Sequence, residues 1–303
     1  MRRIGIIGLK HKAESMIQLL RKTKVFEISG IYDNDEQLTK KLSERYHITF
    51  TYNPFELIVI SDLLIISKSD DNSFNLIIES IFNGKHVIIE NPLKLSIKEI
   101  NELIKLSSEA SVSVVPFLPY RFSTCVISTK SYIFNPSYIE IRSRLIPEFK
   151  KTQQEIAENM LNMIDLIFSL IKANVKKVYP TAIKVVGSLP QIINLRFEFD
   201  NGSLACINDD YLASRDELTV NVFQKNQIVT IDLIKNYSLV KTFNRDNLLD
   251  CEITKPVVSK DENPYVEILN YLNAFEGFNT SVSILESYKY TLTVFSKFEE
   301  KLK

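Results

Sequence analysis

The chain has 303 residues, 45% of them hydrophobic and 24% charged, a composition that supplies a large apolar core and excludes an intrinsically disordered chain. Thirty-seven Lys and Arg balance 37 Asp and Glu, so no global electrostatic attraction to nucleic acid or an anionic membrane exists. No apolar run approaches the length of a membrane span.

Such a length exceeds one ordinary core, and two domains are expected. The opening run, Ile4 to Ile7, is too short for the core of an export signal and is followed by Lys10, His11 and Lys12. It reads as a strand, and the protein is expected in the cytoplasm. Cys125, Cys206 and Cys251 are odd in number and widely spaced, and the three histidines are scattered. Buried thiols in a reducing compartment are the expectation, with no disulfide and no metal site.

The first 120 residues alternate strand and helix. Ile4–Ile7 has the unbroken apolar character of a central parallel strand. Ala13–Arg21 carries an apolar stripe at helical spacing, and Phe26–Asp33 is a second strand ending in an acid. Gln37–Tyr46 reads as a helix, Ile48–Tyr52 as a short strand, Ser61–Ser67 as another and Phe74–Phe82 as a helix. His86–Glu90 is a strand. Ser96–Ala110 is a helix with Ser96 as its cap and Glu99 three residues on, and Val112–Phe117 is a strand. This alternation predicts a doubly wound parallel sheet, a Rossmann-type domain over 1–120.

Beyond Tyr120 the pattern changes. Residues 153–172 form a long amphipathic helix. Two hairpins follow, one turning at Asp200-Asn201-Gly202 and one at Lys225-Asn226-Gln227. They predict an open antiparallel sheet covered by helices over 121–303, an α+β arrangement. Terminal helices are expected near 264–276 and 281–301, the last packing back on the first domain.

In a doubly wound sheet, ligands bind beyond the carboxyl ends of the strands. A dinucleotide requires Gly-x-Gly-x-x-Gly after the first strand, because backbone must approach the diphosphate closely. Here the loop is Gly8-Leu9-Lys10-His11-Lys12-Ala13, and only the first glycine remains. Two readings stay open: Lys10 obstructs the diphosphate, or Lys10 or Lys12 swings out and pairs with it. Asp33 stands where a carboxylate accepts from a ribose hydroxyl and disfavours a 2′-phosphate, which favours NAD(H) over NADP(H). Its alternative role is to cap the helix that begins in "DNDE".

The segments "GIIGLKHKA", "GIYDNDEQLTKKLSERYHI", "GKHVIIENPLKLSIKEINELIKLSSEA" and "PYRFS" follow in order the first domain of the glucose-fructose oxidoreductase, inositol dehydrogenase and MocA (Gfo/Idh/MocA) family, which this chain resembles. The resemblance implies an NAD(P)-dependent oxidoreductase acting on a sugar-like substrate. It also implies a C-terminal sheet that forms a homodimer or homotetramer. On the same basis Gly8, Lys10, His11, Asp33, Ser67, Ser69, Glu90 and Pro92 fall at cofactor-binding positions, and the peptide before Pro92 is expected cis. The family's catalytic lysine is the middle residue of Glu-Lys-Pro, and its acid/base histidine lies in Asp-x-x-x-His-x-x-Asp. Asn91 and Asn162 occupy those two positions here, with Glu158 and Asp165 at the flanking acids.

An asparagine amide hydrogen-bonds but exchanges no proton at accessible pH. Catalysis of the usual kind is therefore expected to be impaired or unconventional, with Lys68 as the replacement candidate ahead of Lys94, Tyr120 and Arg121. The alternative is a non-catalytic member of the fold that binds a ligand or supports assembly.

Overall fold

The computed structural model describes residues 2–8, 12–23, 26–67, 71–90, 92–147, 152–244, 250–258 and 278–302. The chain divides into two units, Met1–Phe117 with Leu269–Lys289, and Leu118–Ile268 with Tyr290–Lys303.

In the first unit, strands β1 (Arg2–Ile7), β2 (Phe26–Tyr32), β3 (Leu63–Ser67), β4 (His86–Glu90) and β5 (Val114–Pro116) form a parallel sheet in the order β2-β1-β3-β4-β5. Every residue of β3 is buried, as are the last four of β1 and of β4. That two-sided burial is why these strands read as apolar runs without alternation. The helices are α1 (Lys12–Thr23), α2 (Glu36–Tyr46), α3 (Pro54–Ile60), α4 (Asp71–Phe82) and α5 (Ile97–Ala110). Ser96 and Glu99 form the reciprocal capping box expected for α5.

Two elements differ from expectation. Ile48–Tyr52 is not a strand of the sheet: it touches β2 through one parallel bridge, Ile31 to Phe50. The helix α3 follows it at once. Asn53 caps α3 by accepting from the Phe55 N–H at 3.0 Å, with Pro54 in the first turn, where a missing N–H costs nothing. Leu57 of α3 lies over two glycines. A Cβ on Gly5 would stand 2.5 Å from Ser61 Oγ, 2.8 Å from Leu64 Cδ2 and 2.9 Å from Leu57 Cγ, and one on Gly30 would stand 3.0 Å from Leu57 Cδ1. These strand glycines admit the helix.

The second unit contains α6 (Thr124–Thr129), β6 (Tyr138–Arg144), α7 (Gln153–Leu170), β7 (Val175–Ile183), β8 (Ile192–Phe199), β9 (Leu204–Asp210), β10 (Glu217–Gln224), β11 (Gln227–Asp232), β12 (Tyr237–Phe243) and β13 (Cys251–Thr254). The sheet order is β13-β12-β11-β10-β6-β9-β8-β7. Both expected hairpins, β8–β9 and β10–β11, are present. The sheet is not wholly antiparallel, because β6 inserts between them and pairs parallel with β9. Parallel neighbours require a crossover, and the chain between β6 and β9 supplies one that includes α7.

One face of this sheet packs under α7: Phe168 meets the rings of Phe197 and Phe199 edge-on. The last helix, α8 (Phe278–Leu302), has its start assigned to the first unit and its end, from Tyr290, to the second. The helix expected at 264–276 lies outside the described residues.

Replacing Gly5 with Ala is expected to destabilise the fold by about 1–3 kcal/mol through overpacking, measured as a lowered urea midpoint. His86 accepts from the Ser113 N–H through Nδ1 at 3.0 Å, and burial, followed by the Arg2 charge, holds its pKa below 6.5. The unfolded chain therefore binds a proton near pH 6.5 that the folded chain refuses. Stability from this group should be complete above about 6.5 and decline as pH falls below it. An NMR titration placing His86 above 6.5 would contradict this.

Candidate active site

The carboxyl ends of β1, β2 and β3 converge on a cleft of about 320 Å³ whose lining includes Gly8, Tyr32, Asn34, Phe55, Ser67 and Ser73. It lies where the strand order reverses, between β1 and β3, as ligand sites of doubly wound sheets do. Gly8 follows β1 in the left-handed region, φ +73°, and its N–H donates to the Tyr32 carbonyl at 2.9 Å. A Cβ there would meet Ser67 Cβ at an ordinary 3.7 Å, so the backbone conformation, rather than lack of space, calls for glycine.

Asp33 lies just past β2, beside this cleft. Its carboxylate accepts from the Asp35 N–H at 3.1 Å, while Asp35 caps α2 by accepting from the Leu38 N–H at 3.0 Å. The capping role considered for Asp33 thus belongs to Asp35. Ser67 ends β3 and pairs in register with Glu90, the last residue of β4, and both are buried. Pro92 is buried and opens a short 3-10 turn, Pro92–Lys94, that leaves Lys94 exposed. Lys10, His11, Lys68, Ser69 and Asn91, with the peptide bond before Pro92, lie outside the described residues.

In the second unit, α7 carries Glu158, Asn162 and Asp165, and the three have different surroundings. Glu158 accepts from Gln154 Nε2 at 2.8 Å, one turn back. Asn162 donates through Nδ2 to the Glu158 carbonyl at 2.8 Å, and its Oδ1 is buried with no hydrogen-bond partner among the described residues. Asp165 has no solvent exposure and receives two hydrogen bonds from Arg121, Nε to Oδ2 and Nη2 to Oδ1, each 2.5 Å. Burial pushes the Asp165 carboxyl up to about 6 against the opposing pull of Arg121.

One turn before Asn162 is a polar cluster of which the sequence pointed only to Tyr120. Tyr120 donates to Asn159 Oδ1 at 2.6 Å. The Asn159 amide donates to Asp209 Oδ2 and to the Tyr211 hydroxyl, each at 3.3 Å, and Tyr211 donates to Asp209. Burial, reinforced by the Asp209 charge, raises the pKa of both tyrosines. The signal was available: in β9 the buried positions are Ala205, Ile207 and Asp209, so the two-residue period aims a carboxylate into the core. Phe55 of the cleft carried no comparable signal, because α3 had not been anticipated; nor did Tyr32, Asn34 and Ser73. Among the described residues no group of three His, Cys, Asp or Glu side chains could hold a metal ion, and no helix is long and apolar enough to cross a membrane.

Residues 2–117 match the family described as "Oxidoreductase family, NAD-binding Rossmann fold" (GFO_IDH_MocA). Residues 2–117 therefore carry the NAD-binding Rossmann domain of that family. A glucose-6-phosphate 3-dehydrogenase of Bacillus subtilis is 23% identical over 192 residues, 57% of this chain and 55% of that protein. The chain thus spans about half the length of that relative. Across the whole chain the same fold recurs in solved structures. A UDP-N-acetylglucosamine 3-dehydrogenase of Acidithiobacillus ferrooxidans superposes with a TM-score of 0.84 at 17% identity, covering 100% of this chain and 99% of that one. An Agrobacterium radiobacter oxidoreductase solved with NAD+, L-tartaric acid and magnesium superposes with a TM-score of 0.75 at 13% identity, covering 96% and 93%.

The Arg121–Asp165 pair yields a stability prediction. Asp165→Asn or Arg121→Met alone leaves one buried charge without its partner and is expected to cost about 3–5 kcal/mol. The combination Arg121→Met with Asp165→Leu should cost much less than the sum of the single changes. Urea unfolding of the four proteins measures the coupling, and strict additivity would show the pair to be energetically idle.

Proposed function

We propose that this protein is a nicotinamide-dependent oxidoreductase of sugar-like alcohols or carbonyls, with NAD(H) preferred and with proton transfer that does not use the family's lysine and histidine. The observation that carries the reading is the cleft at the ends of β1, β2 and β3, with left-handed Gly8 in its lining and Asp33 beside it. Its residues fit a dinucleotide. Gly8 presents bare backbone for a diphosphate, Ser67 and Ser73 bring hydroxyls, and Phe55 offers a ring to a base. Asp33 is the ribose-hydroxyl acceptor, and Glu90 and Pro92 shape the turn beyond β4. The bound cofactor would supply the hydride acceptor or donor.

The substrate class is supported by the two sugar dehydrogenases among the relatives. Asn162 and Asn91 are assigned to orienting a substrate hydroxyl or carbonyl, and Lys68 is assigned the proton-carrying role. Loss of a positioned acid/base lowers rate by roughly two to four orders of magnitude, so slow turnover is expected. A second reading, a non-catalytic ligand-binding or assembly protein, is favoured by the commitment of the Asn162 amide to its own helix backbone. Assembly as a homodimer or homotetramer is assigned to the sheet face opposite α7, where Ile183, Ile192 and Ile253 are 37–54% exposed.

Titration with NADH and NADPH, followed by nicotinamide fluorescence, tests the cofactor assignment. Saturable binding of NADH ahead of NADPH is expected, with the preference narrowed in Asp33→Ala; no saturation at millimolar NADH removes the proposal. Where NADH binds, Asn91→Lys with Asn162→His is expected to raise sugar oxidation by about 10²–10⁴-fold. An inert double variant that still binds NADH would favour the non-catalytic reading.

A further inference from the structure

A second hollow, of about 430 Å³, lies wholly within the second unit, between β7 and one face of α8. Strand β7 is the outermost strand of its sheet. The helix side is formed by Tyr290, Thr293, Val294 and Lys297, spaced at i, i+3, i+4 and i+7 and therefore on one face. Tyr290 ties the two walls together at one end by accepting the Val175 N–H.

Adjacent strand residues ordinarily point to opposite faces. Here the register with β8 shifts between Val175 and Lys177, and the consecutive Lys176 and Lys177 both line the hollow. Irregularities of this kind at sheet edges re-aim side chains. Lys297 adds a third ammonium from the opposite wall. None of the three has an ion-pair partner among the described residues, and no acidic residue is in the lining.

Lysine and proline on an edge strand also discourage pairing with other chains, and Lys176, Lys177 and Pro180 serve that end. Edge protection does not require a concave space or a lysine on the facing helix. Three like charges around one hollow favour an anion among them, with Glu198 opposite Lys177 in register and Asp200 acting on Tyr290 as the acids beside it. The surface beside them is apolar: Val178, Tyr179 and Val294 complete the lining. We propose that this groove is a binding site for a small organic phosphate, with the phosphoryl group among Lys176, Lys177 and Lys297 and the carbon body against those apolar side chains. Lysine is suited to this role as a point charge that needs no fixed bidentate geometry. The site draws no residue from the cofactor cleft.

Calorimetric titration of the full chain at low salt, with pyrophosphate and with glucose 6-phosphate as probes, tests the proposal. Saturable one-site binding of glucose 6-phosphate is expected, unchanged by saturating NADH. It should weaken about tenfold or more in the triple variant Lys176→Gln, Lys177→Gln, Lys297→Gln, whose thermal midpoint should match that of the parent. The single change Lys297→Glu should weaken it by itself, since it alters the helix wall without touching the strand. Absence of saturation, affinity unchanged in the triple variant, or displacement by NADH would each overturn the assignment. Equal affinity for an acidic peptide would overturn the small-phosphate class.

Discussion

A carboxylate removed from water must be matched by a nearby cation or give up its charge, and Asp165 is matched. Burial alone would make its ionisation costly; two 2.5 Å hydrogen bonds from Arg121 restore what water would have supplied. Because Arg121 lies in the short turn Pro119–Phe122 and Asp165 lies midway along α7, the pair fixes the helix against that turn. Tyr120, the neighbour of Arg121, is then placed to reach Asn159 one face over. The positions of Asn159 and Asn162 relative to the sheet follow from this clamp. Either partner alone would be a liability, so the two are expected to be retained or lost together.

With α7 held in that way, the polar groups along it divide by capacity. Asp165 is consumed by structure. Glu158 is answered within its own helix, and Asn162 has one amide hydrogen engaged with the preceding turn while its oxygen lacks a partner among the described residues. The nearest hydroxyls, Tyr120 and Tyr211, have pKa values raised by burial and by Asp209, so they hold their protons firmly. A region so furnished can orient a ligand through hydrogen bonds far better than it can exchange protons with one. The two asparagines of α7 can accept and donate hydrogen bonds without exchanging protons.

The legible parts of the fold were those in which one side-chain pattern has one physical cause. Apolar runs marked the two-sided burial of β1, β3 and β4, and alternation with Asp200-Asn201-Gly202 marked the β8–β9 hairpin. The capping signature at Ser96 and Glu99 marked the start of α5. Where two causes compete, reading failed. Ile48–Tyr52 is apolar enough for a strand, but its neighbour Ile31 offers it only one bridge before Asn53 and Pro54 start a helix. The parallel pairing of β6 with β9 depends on contacts across the length of α7, and no local period encodes it. Asp33 was located correctly, but its hydrogen-bond partner was not, because "DNDE" holds two acids equally able to cap and only the backbone geometry selects Asp35. The cluster around Asp209 was half visible: its inward position follows from alternation, whereas the residues that answer it come from two other elements.

The balanced charge of the chain illustrates the same limit at the level of electrostatics. A net charge of zero rules out a uniformly basic surface, but it says nothing about where unmatched charges collect. Some acids and bases here meet partners close at hand, as Arg3 meets Asp62, Arg45 meets Glu14 and Arg142 meets Glu140; such exposed pairs contribute little to stability. Their effect is to leave local imbalance where pairing fails. At the edge of the second sheet a shift of register places two adjacent lysines beside a third from α8 with no carboxylate in the lining. The groove therefore gathers like charge on a chain whose net charge is zero.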